Sequence, residues 1–131
     1  MRLRAKLLMV GGILIFGLIV MPSSAFPITC DMLGLNVDDA RSNLRRAANE
    51  TDFEVAKDYA RRAKRSLDDA AMSAMDCGCD MAFVEFDTAA THAKRARDAN
   101  TPPEFVDSLN RAIKAFNSAI EALQIWSRKR R

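Results

Sequence analysis

The amino-acid sequence predicts an all-α protein, an antiparallel up-down four-helix bundle that follows an N-terminal signal peptide. Apolar residues recur at spacings of three and four throughout residues 26–131, and no stretch alternates apolar and polar residues. Alanine is abundant and glycine is rare in the same range. The connections between the helical stretches are short, so consecutive helices should be antiparallel neighbours. Three long helices with the first one splayed away are the alternative arrangement.

Residues 1–25 have the three parts of a secretory signal peptide. These parts are a positive start (Arg2, Arg4 and Lys6), an apolar run (residues 7–21) and the small residues that signal peptidase needs (Ser23 and Ala25). The apolar run is short for a membrane span, which needs roughly 20 residues. We therefore predict cleavage before Phe26 and export to the periplasm or the medium, with an uncleaved membrane anchor at residues 7–21 as the alternative.

Removal of the signal peptide changes the charge balance of the protein. The whole chain has 20 Lys and Arg residues against 17 Asp and Glu residues. Three of these cations lie in the signal peptide, which contains no acid, so residues 26–131 have a formal net charge of zero. A nucleic-acid-binding domain needs a surplus of cations to neutralise phosphates. We therefore predict that nucleic acid is not a partner.

Helix 1 is predicted at about residues 31–49 and helix 2 at about residues 52–76. The predicted core positions of helix 1 are Leu33, Val37, Ala40, Leu44 and Ala47, and those of helix 2 are Phe53, Ala56, Ala60, Ala63, Leu67, Ala70 and Ala74. Thr51 and Glu54 are the expected capping box of helix 2, in which a hydroxyl and a carboxylate satisfy two backbone donors.

Helix 3 is predicted at about residues 80–99, with Asp80 as its N-cap, and helix 4 at about residues 102–127. Thr101-Pro102-Pro103-Glu104 is typical of a helix start, with a capping threonine and prolines in the first turn. The predicted core positions are Phe83, Phe86, Ala90 and Ala93 in helix 3, and the heptad seam Val106, Leu109, Ile113, Phe116, Ile120 and Leu123 in helix 4. Residues 26–131 thus form a single helical domain.

The three cysteines, Cys30, Cys77 and Cys79, are expected to meet at one end of the bundle. Helix 2 rises roughly 37 Å and helix 1 roughly 25 Å in the opposite direction. Three extended residues before helix 1 add about 10 Å, which brings Cys30 level with the turn that contains Cys77 and Cys79. We predict a disulfide from Cys30 to Cys77 or Cys79, because exported compartments favour such bonds. One thiol is then left over.

The alternative interpretation of this end is a soft-metal site. Met72, Met75 and Met81 bracket the cysteine pair in the sequence. Thiolate and thioether sulfur together select Cu(I), so the candidate copper ligands are Cys30, Cys77, Cys79 and these three methionines, although methionine is also ordinary core filler. A thiol oxidoreductase at Cys77-Gly78-Cys79 is a third hypothesis, but the motif lacks the two-residue spacer of thioredoxin-like sites.

Residues 127–131 form a basic C-terminal tail. Its cations, next to Trp126, are Arg128, Lys129, Arg130 and Arg131. The tail is frayed and idle, or folds over the acidic end of the bundle, or contacts anionic lipid weakly with Trp126 at the interface. In the last case each cation contributes about 1 kcal/mol.

The sequence contains no recognisable catalytic set. It has a single histidine and lacks the Glu-x-x-His, Cys-x-x-Cys-His and glycine-rich phosphate-loop motifs. We therefore predict a non-enzymatic exported module that binds or scaffolds proteins and has no cofactor, with copper as the alternative. Its partner is an unidentified protein or a second copy of the chain.

Overall fold

The structure, a computed structural model, describes residues 28–130. Four helices make up this range: α1 (Ile28–Asn49), α2 (Phe53–Asp76), α3 (Asp80–Arg97) and α4 (Pro102–Lys129). No strand occurs among the described residues, which confirms the all-α, four-helix class. The predicted signal peptide, its cleavage site before Phe26 and the alternative anchor at residues 7–21 lie outside this range, as does Arg131.

The helix boundaries differ from the predicted ones by three residues or fewer. The α1 helix begins at Ile28 because its first turn is held against α2 through the disulfide of Cys30. The α3 helix ends at Arg97, two residues early. The α4 helix continues to Lys129, since Trp126 packs against the core and keeps the last turns in place. The first three residues of the predicted tail are therefore helical.

The start of α4 matches the prediction in both its first residue and its cap, whereas α3 begins at the predicted residue but has a different N-cap. Thr101 caps α4: its hydroxyl accepts a hydrogen bond from the Glu104 backbone N–H at 3.4 Å, and the Glu104 carboxylate accepts one from the Thr101 N–H at 3.2 Å. The N-cap of α3 is Cys79 rather than Asp80, and it makes no side-chain capping bond. Asp80 is instead the first helical residue, where its negative charge interacts favourably with the positive end of the helix dipole.

The predicted capping box of α2, Thr51 with Glu54, is wrong. The N-cap is Asp52, whose carboxylate accepts a hydrogen bond from the Val55 backbone N–H at 3.0 Å. The Glu50 carboxylate in turn accepts one from the Asp52 N–H at 3.1 Å. A carboxylate is stabilised both by this bond and by the positive end of the helix dipole. Asp52 therefore caps the helix in preference to the neutral hydroxyl one residue earlier.

The core of the protein is built mainly from alanine. The fully buried alanines are Ala40, Ala60, Ala63, Ala70, Ala74, Ala82, Ala89, Ala93, Ala96, Ala112 and Ala119. Among the described residues, the large side chains that are buried as completely are Leu67 and Phe86. Small side chains let helix backbones approach closely. Close packing accordingly joins α1 to α2, α2 to α3, and α3 to α4.

Two polar pairs join α1 to α2 beside the core. The Asn36 side-chain amide donates to the Ser73 hydroxyl at 2.8 Å, and the Asn43 amide donates to the Ser66 hydroxyl at 3.1 Å. Both pairs are partly buried, where an unbonded amide would be costly. These pairs were not predicted from the sequence. The two asparagines and the two serines are each seven residues apart, and this matched spacing is the signal that indicates the pairs.

The predicted heptad seam of α4 is only partly buried. Leu109 and Phe116 are buried as predicted, but Val106 is 53% exposed, and Ile113, Ile120 and Leu123 are half-buried. The buried face is completed instead by Phe105, Ala112, Ala115, Ala119 and Ala122. The alanines allow α4 to approach α3 closely, and this contact turns the larger residues toward α1.

Candidate functional site

A groove lies between α1 and α4, the neighbouring helices that pack least closely. Its central cavity has a volume of about 230 Å³ and is lined by Arg41, Leu44, Arg45, Ile113, Phe116 and Asn117. We call it, with the half-buried Ile120 and Leu123 further along α4, the α1–α4 groove. The alanine-rich face of α4 packs against α3, so the larger apolar side chains of α4 lie on the side of α1. These side chains form the apolar floor of the groove, and the polar residues beside them form its rim.

Arg41 forms part of one wall of the groove. Its guanidinium lies over the Phe116 ring at 5.6 Å and pairs with the Asp38 carboxylate at 3.1 Å. Arg45, one turn further along, is exposed and forms no ion pair within residues 28–130. The α1 side of the groove therefore presents one partly engaged cation and one that is available to a partner.

The α4 side of the groove carries two rows of residues at heptad spacing. The first row is apolar and consists of Val106, Ile113 and Ile120. The second row carries exposed amides and consists of Asn110, Asn117 and Gln124. Such a face resembles one side of a coiled-coil seam, in which apolar and polar positions repeat every seven residues. The helices within residues 28–130 leave this seam open.

The sulfur-rich end contains the predicted disulfide. Cys30 is bonded to Cys77, with the two Cα atoms 5.4 Å apart, and Cys79 is a free thiol that is 2% exposed. The choice of Cys77 over Cys79 was open in the sequence. Gly78 adopts a φ of 88°, which permits the tight turn from α2 to α3. Cys77 and Cys79 are not bonded to each other, as a redox pair would be.

The six predicted copper ligands do not fit a soft-metal site in this oxidised form. Two of the three candidate thiolates are joined in the disulfide. Met72, Met75 and Met81 are 54%, 41% and 71% exposed, whereas Cys79 is buried in the core. Within residues 28–130 no group of three or more His, Cys, Asp and Glu side chains is placed to hold a metal ion. Copper binding stays a prediction for the reduced protein.

Titration with Cu(I) against a competing chelator tests the copper prediction. We expect the oxidised protein to take up no Cu(I) at this end, because the disulfide removes two anionic ligands. A site in the reduced protein would lose affinity in a variant that combines Met72→Leu, Met75→Leu and Met81→Leu. Unchanged uptake in that variant would show that these thioethers are not ligands.

Residues 127–129 of the basic tail continue α4. Trp126 is half-buried against the core, and the Arg130 guanidinium lies 4.8 Å over its ring. Arg128 and Lys129 lie in the last turn of α4, where their positive charges interact favourably with the negative end of the helix dipole. None of the helices in residues 28–130 is both long and apolar enough to cross a membrane. Weak contact of Trp126 and the tail cations with lipid stays a prediction.

His92 faces a polar cleft between α3 and α4. Its Nδ1 atom is buried and has no hydrogen-bond partner within residues 28–130. Burial of the imidazole lowers the His92 pKa, and the nearby Arg95 and Arg111 guanidiniums lower it further against the opposing effect of Asp107. The arrangement favours the neutral imidazole in the folded protein.

The depressed pKa predicts an acid-sensitive contribution of His92 to stability. The pKa of His92 is about 6.5 in the unfolded chain and lower in the folded protein. Between these two pKa values the imidazole is protonated in the unfolded chain but neutral in the folded protein. The free energy of unfolding should therefore fall as the pH drops from 7 toward 5, and His92→Gln should reduce this fall. Urea unfolding at both pH values measures it, and an equal fall in the variant would refute the role of His92.

Comparisons with protein-family models, curated proteins and solved structures find no match to this chain.

Proposed function

We propose that this protein is an exported, non-enzymatic binding module that accepts an amphipathic helix of a protein partner in the α1–α4 groove. The observation that carries this proposal is the heptad row of exposed Val106 and half-buried Ile113 and Ile120 beside an open apolar groove. Helix-in-groove recognition uses anchors three, four and seven residues apart. The spacing of this row suits such a partner.

The proposed architecture is the antiparallel up-down bundle. Contacts between helices support it, because residues near the start of one helix meet residues near the end of the next. Asn36 of α1 bonds Ser73 of α2. The Lys57 ammonium, early in α2, donates to the Ala99 carbonyl just after α3 at 3.2 Å.

The proposed export rests on the sequence of residues 1–25 and on the disulfide. A positive start, an apolar run and small residues before Phe26 are the marks of a signal peptide. Disulfides persist in oxidising compartments, which suits the Cys30–Cys77 bond. Intact mass of the protein from the exported fraction tests this: a chain beginning at Phe26 is expected, and a full-length chain in the membrane fraction would contradict cleavage.

Photo-crosslinking in the producing cells tests the groove. A photoreactive amino acid at Asn117, beside the apolar row, should yield an adduct of defined mass with a protein. The matched control is the same amino acid at Arg65, which is exposed on α2. The adduct should disappear when Ile113→Asp and Ile120→Asp are added. The same adducts at both positions, or none from Asn117, would refute binding at the groove.

A further inference from the structure

We propose that the helix that fills the α1–α4 groove is α4 of a second copy of this chain, antiparallel to the first and related by a two-fold axis at Asn117. This inference rests on the proposed function of the groove. In such a pair, residues that lie on the same side of the Asn110, Asn117 and Gln124 row come opposite one another when their distances before and after Asn117 are equal or differ by one residue. A difference of one residue displaces the two side chains by only about 1.5 Å along the helix. The exposed face of α4 is complementary to itself under this operation, as its apolar, charged and amide positions show in turn.

The apolar positions of α4 come opposite apolar positions of the partner's α4. Ile113 lies four residues before Asn117 and Ile120 three residues after it. Each isoleucine therefore comes opposite the other isoleucine of the partner. Both side chains are half-buried within one copy, so pairing removes further apolar surface from water.

The charges match in the same register. Lys114 lies three residues before Asn117, and Glu121 lies four residues after it. Lys114 therefore comes opposite the partner's Glu121, and the two-fold axis forms this pair twice. Both side chains are exposed and make no ion pair within residues 28–130.

The outer positions agree too. Asp107 lies ten residues before Asn117 and Arg128 eleven after it. Asp107 already pairs with Arg111 at 3.1 Å, but both side chains are largely exposed, and such a pair contributes little. Asn110 comes opposite the partner's Gln124, and Asn117 comes opposite the partner's Asn117, so amides face amides.

The same pattern disfavours the competing parallel arrangement. A two-fold axis along parallel helices would place the charged side of α4, with Lys114 and Glu121, opposite the partner's apolar side, with Ile113 and Ile120. Neither the isoleucine contacts nor the ion pairs would then form. An antiparallel two-fold interface is closed, since the same surface is used on both copies. The expected product is therefore a dimer rather than a filament. Because the apolar area is small, the dimer should dissociate on dilution.

Sedimentation equilibrium of the oxidised protein from the exported fraction, over a concentration series, tests this proposal. We expect a reversible monomer–dimer equilibrium. Lys114→Glu should weaken it about tenfold or more, because the reversed charge faces the partner's Glu121. Adding Glu121→Lys should restore most of the affinity, and Arg65→Glu on the outside of α2 should leave it unchanged. If Lys114 and Glu121 only stabilised the fold of one copy, the second substitution would not restore the dimer affinity that the first one had lowered.

A second measurement uses the position of the axis. Asn117→Cys places two thiols face to face in the dimer and should form an intermolecular disulfide quickly, whereas Arg65→Cys should form it slowly. A monomer at every concentration, or a dimer that is indifferent to Lys114→Glu, overturns the proposal. If the monomer still gives the crosslink from Asn117 to a different protein, the groove function stands and only the second copy is wrong. If it gives no crosslink, both fail.

Discussion

Replacing Phe86 by alanine is expected to lower the free energy of unfolding by about 3–5 kcal/mol. Phe86 is fully buried in α3, and its ring centroid lies 6.1 Å from that of Phe116 in α4. The cost of such a cavity depends on how far the neighbouring side chains can move into it. The surrounding helix faces carry mostly alanine, whose methyl group has no other rotamer to adopt. The cavity should therefore stay open, which places the loss toward the upper part of this range.

Urea unfolding of Phe86→Ala against two controls measures this effect. Phe86→Leu keeps most of the volume and should cost less. Phe83→Ala lies one turn earlier on the same helix, where the side chain is only half-buried, and should also cost less. An equal loss for the two alanine variants would mean that the alanine-rich core relaxes around cavities and that Phe86 has no special place in it.

The helices themselves were predictable because their signals are local. Leu33 to Ala47 show the core face of α1 through spacing alone, and every predicted position in that helix is buried. The Thr101 cap and the prolines after it determine the start of α4 within four residues. The error at α2 arose because Thr51 and Asp52 are adjacent capping candidates. Only the geometry of the first turn distinguishes them.

The groove was not predictable from spacing. In α4 the row that contains Ile113 and the row that contains Ala112 have the same seven-residue period, so periodicity cannot decide which one faces the neighbouring helices. The close approach of α3 selects the alanines. This tertiary preference leaves Ile113 and Ile120 at the α1 side, where the candidate binding surface arises. Hydrophobicity alone would have buried both isoleucines.

The disulfide was predictable to the level of the turn, but not to the individual cysteine. Helix lengths bring Cys30 beside the turn that joins α2 and α3. Cys77 and Cys79 are separated only by Gly78, a difference smaller than the error of adding helical rises. The structure resolves the choice because Cys77 follows the end of α2 beside α1, whereas Cys79 is the N-cap of α3.

Replacing Cys30 by alanine is expected to lower the free energy of unfolding by about 2–4 kcal/mol. The disulfide closes a loop between residues 47 positions apart. Chain entropy alone gives about 4 kcal/mol for a loop of that length, and native-state strain usually reduces the measured value. Because α1 packs closely only against α2, the bond also holds one wall of the α1–α4 groove. The same variant should therefore weaken the binding of any partner that contacts both α1 and α4.

Reduction provides the matched comparison for this prediction. Reduced wild-type protein and Cys30→Ala should show similar losses of stability, and Cys30→Ala should not lose more when a reductant is added. Cys79→Ala keeps the disulfide, so it should remain sensitive to reductant and show only the smaller cost of a lost buried thiol. A further loss on reducing Cys30→Ala would reveal a bond between Cys77 and Cys79. The three cysteines would then be interchangeable, and the turn between α2 and α3 would be a site of thiol exchange instead of a fixed link.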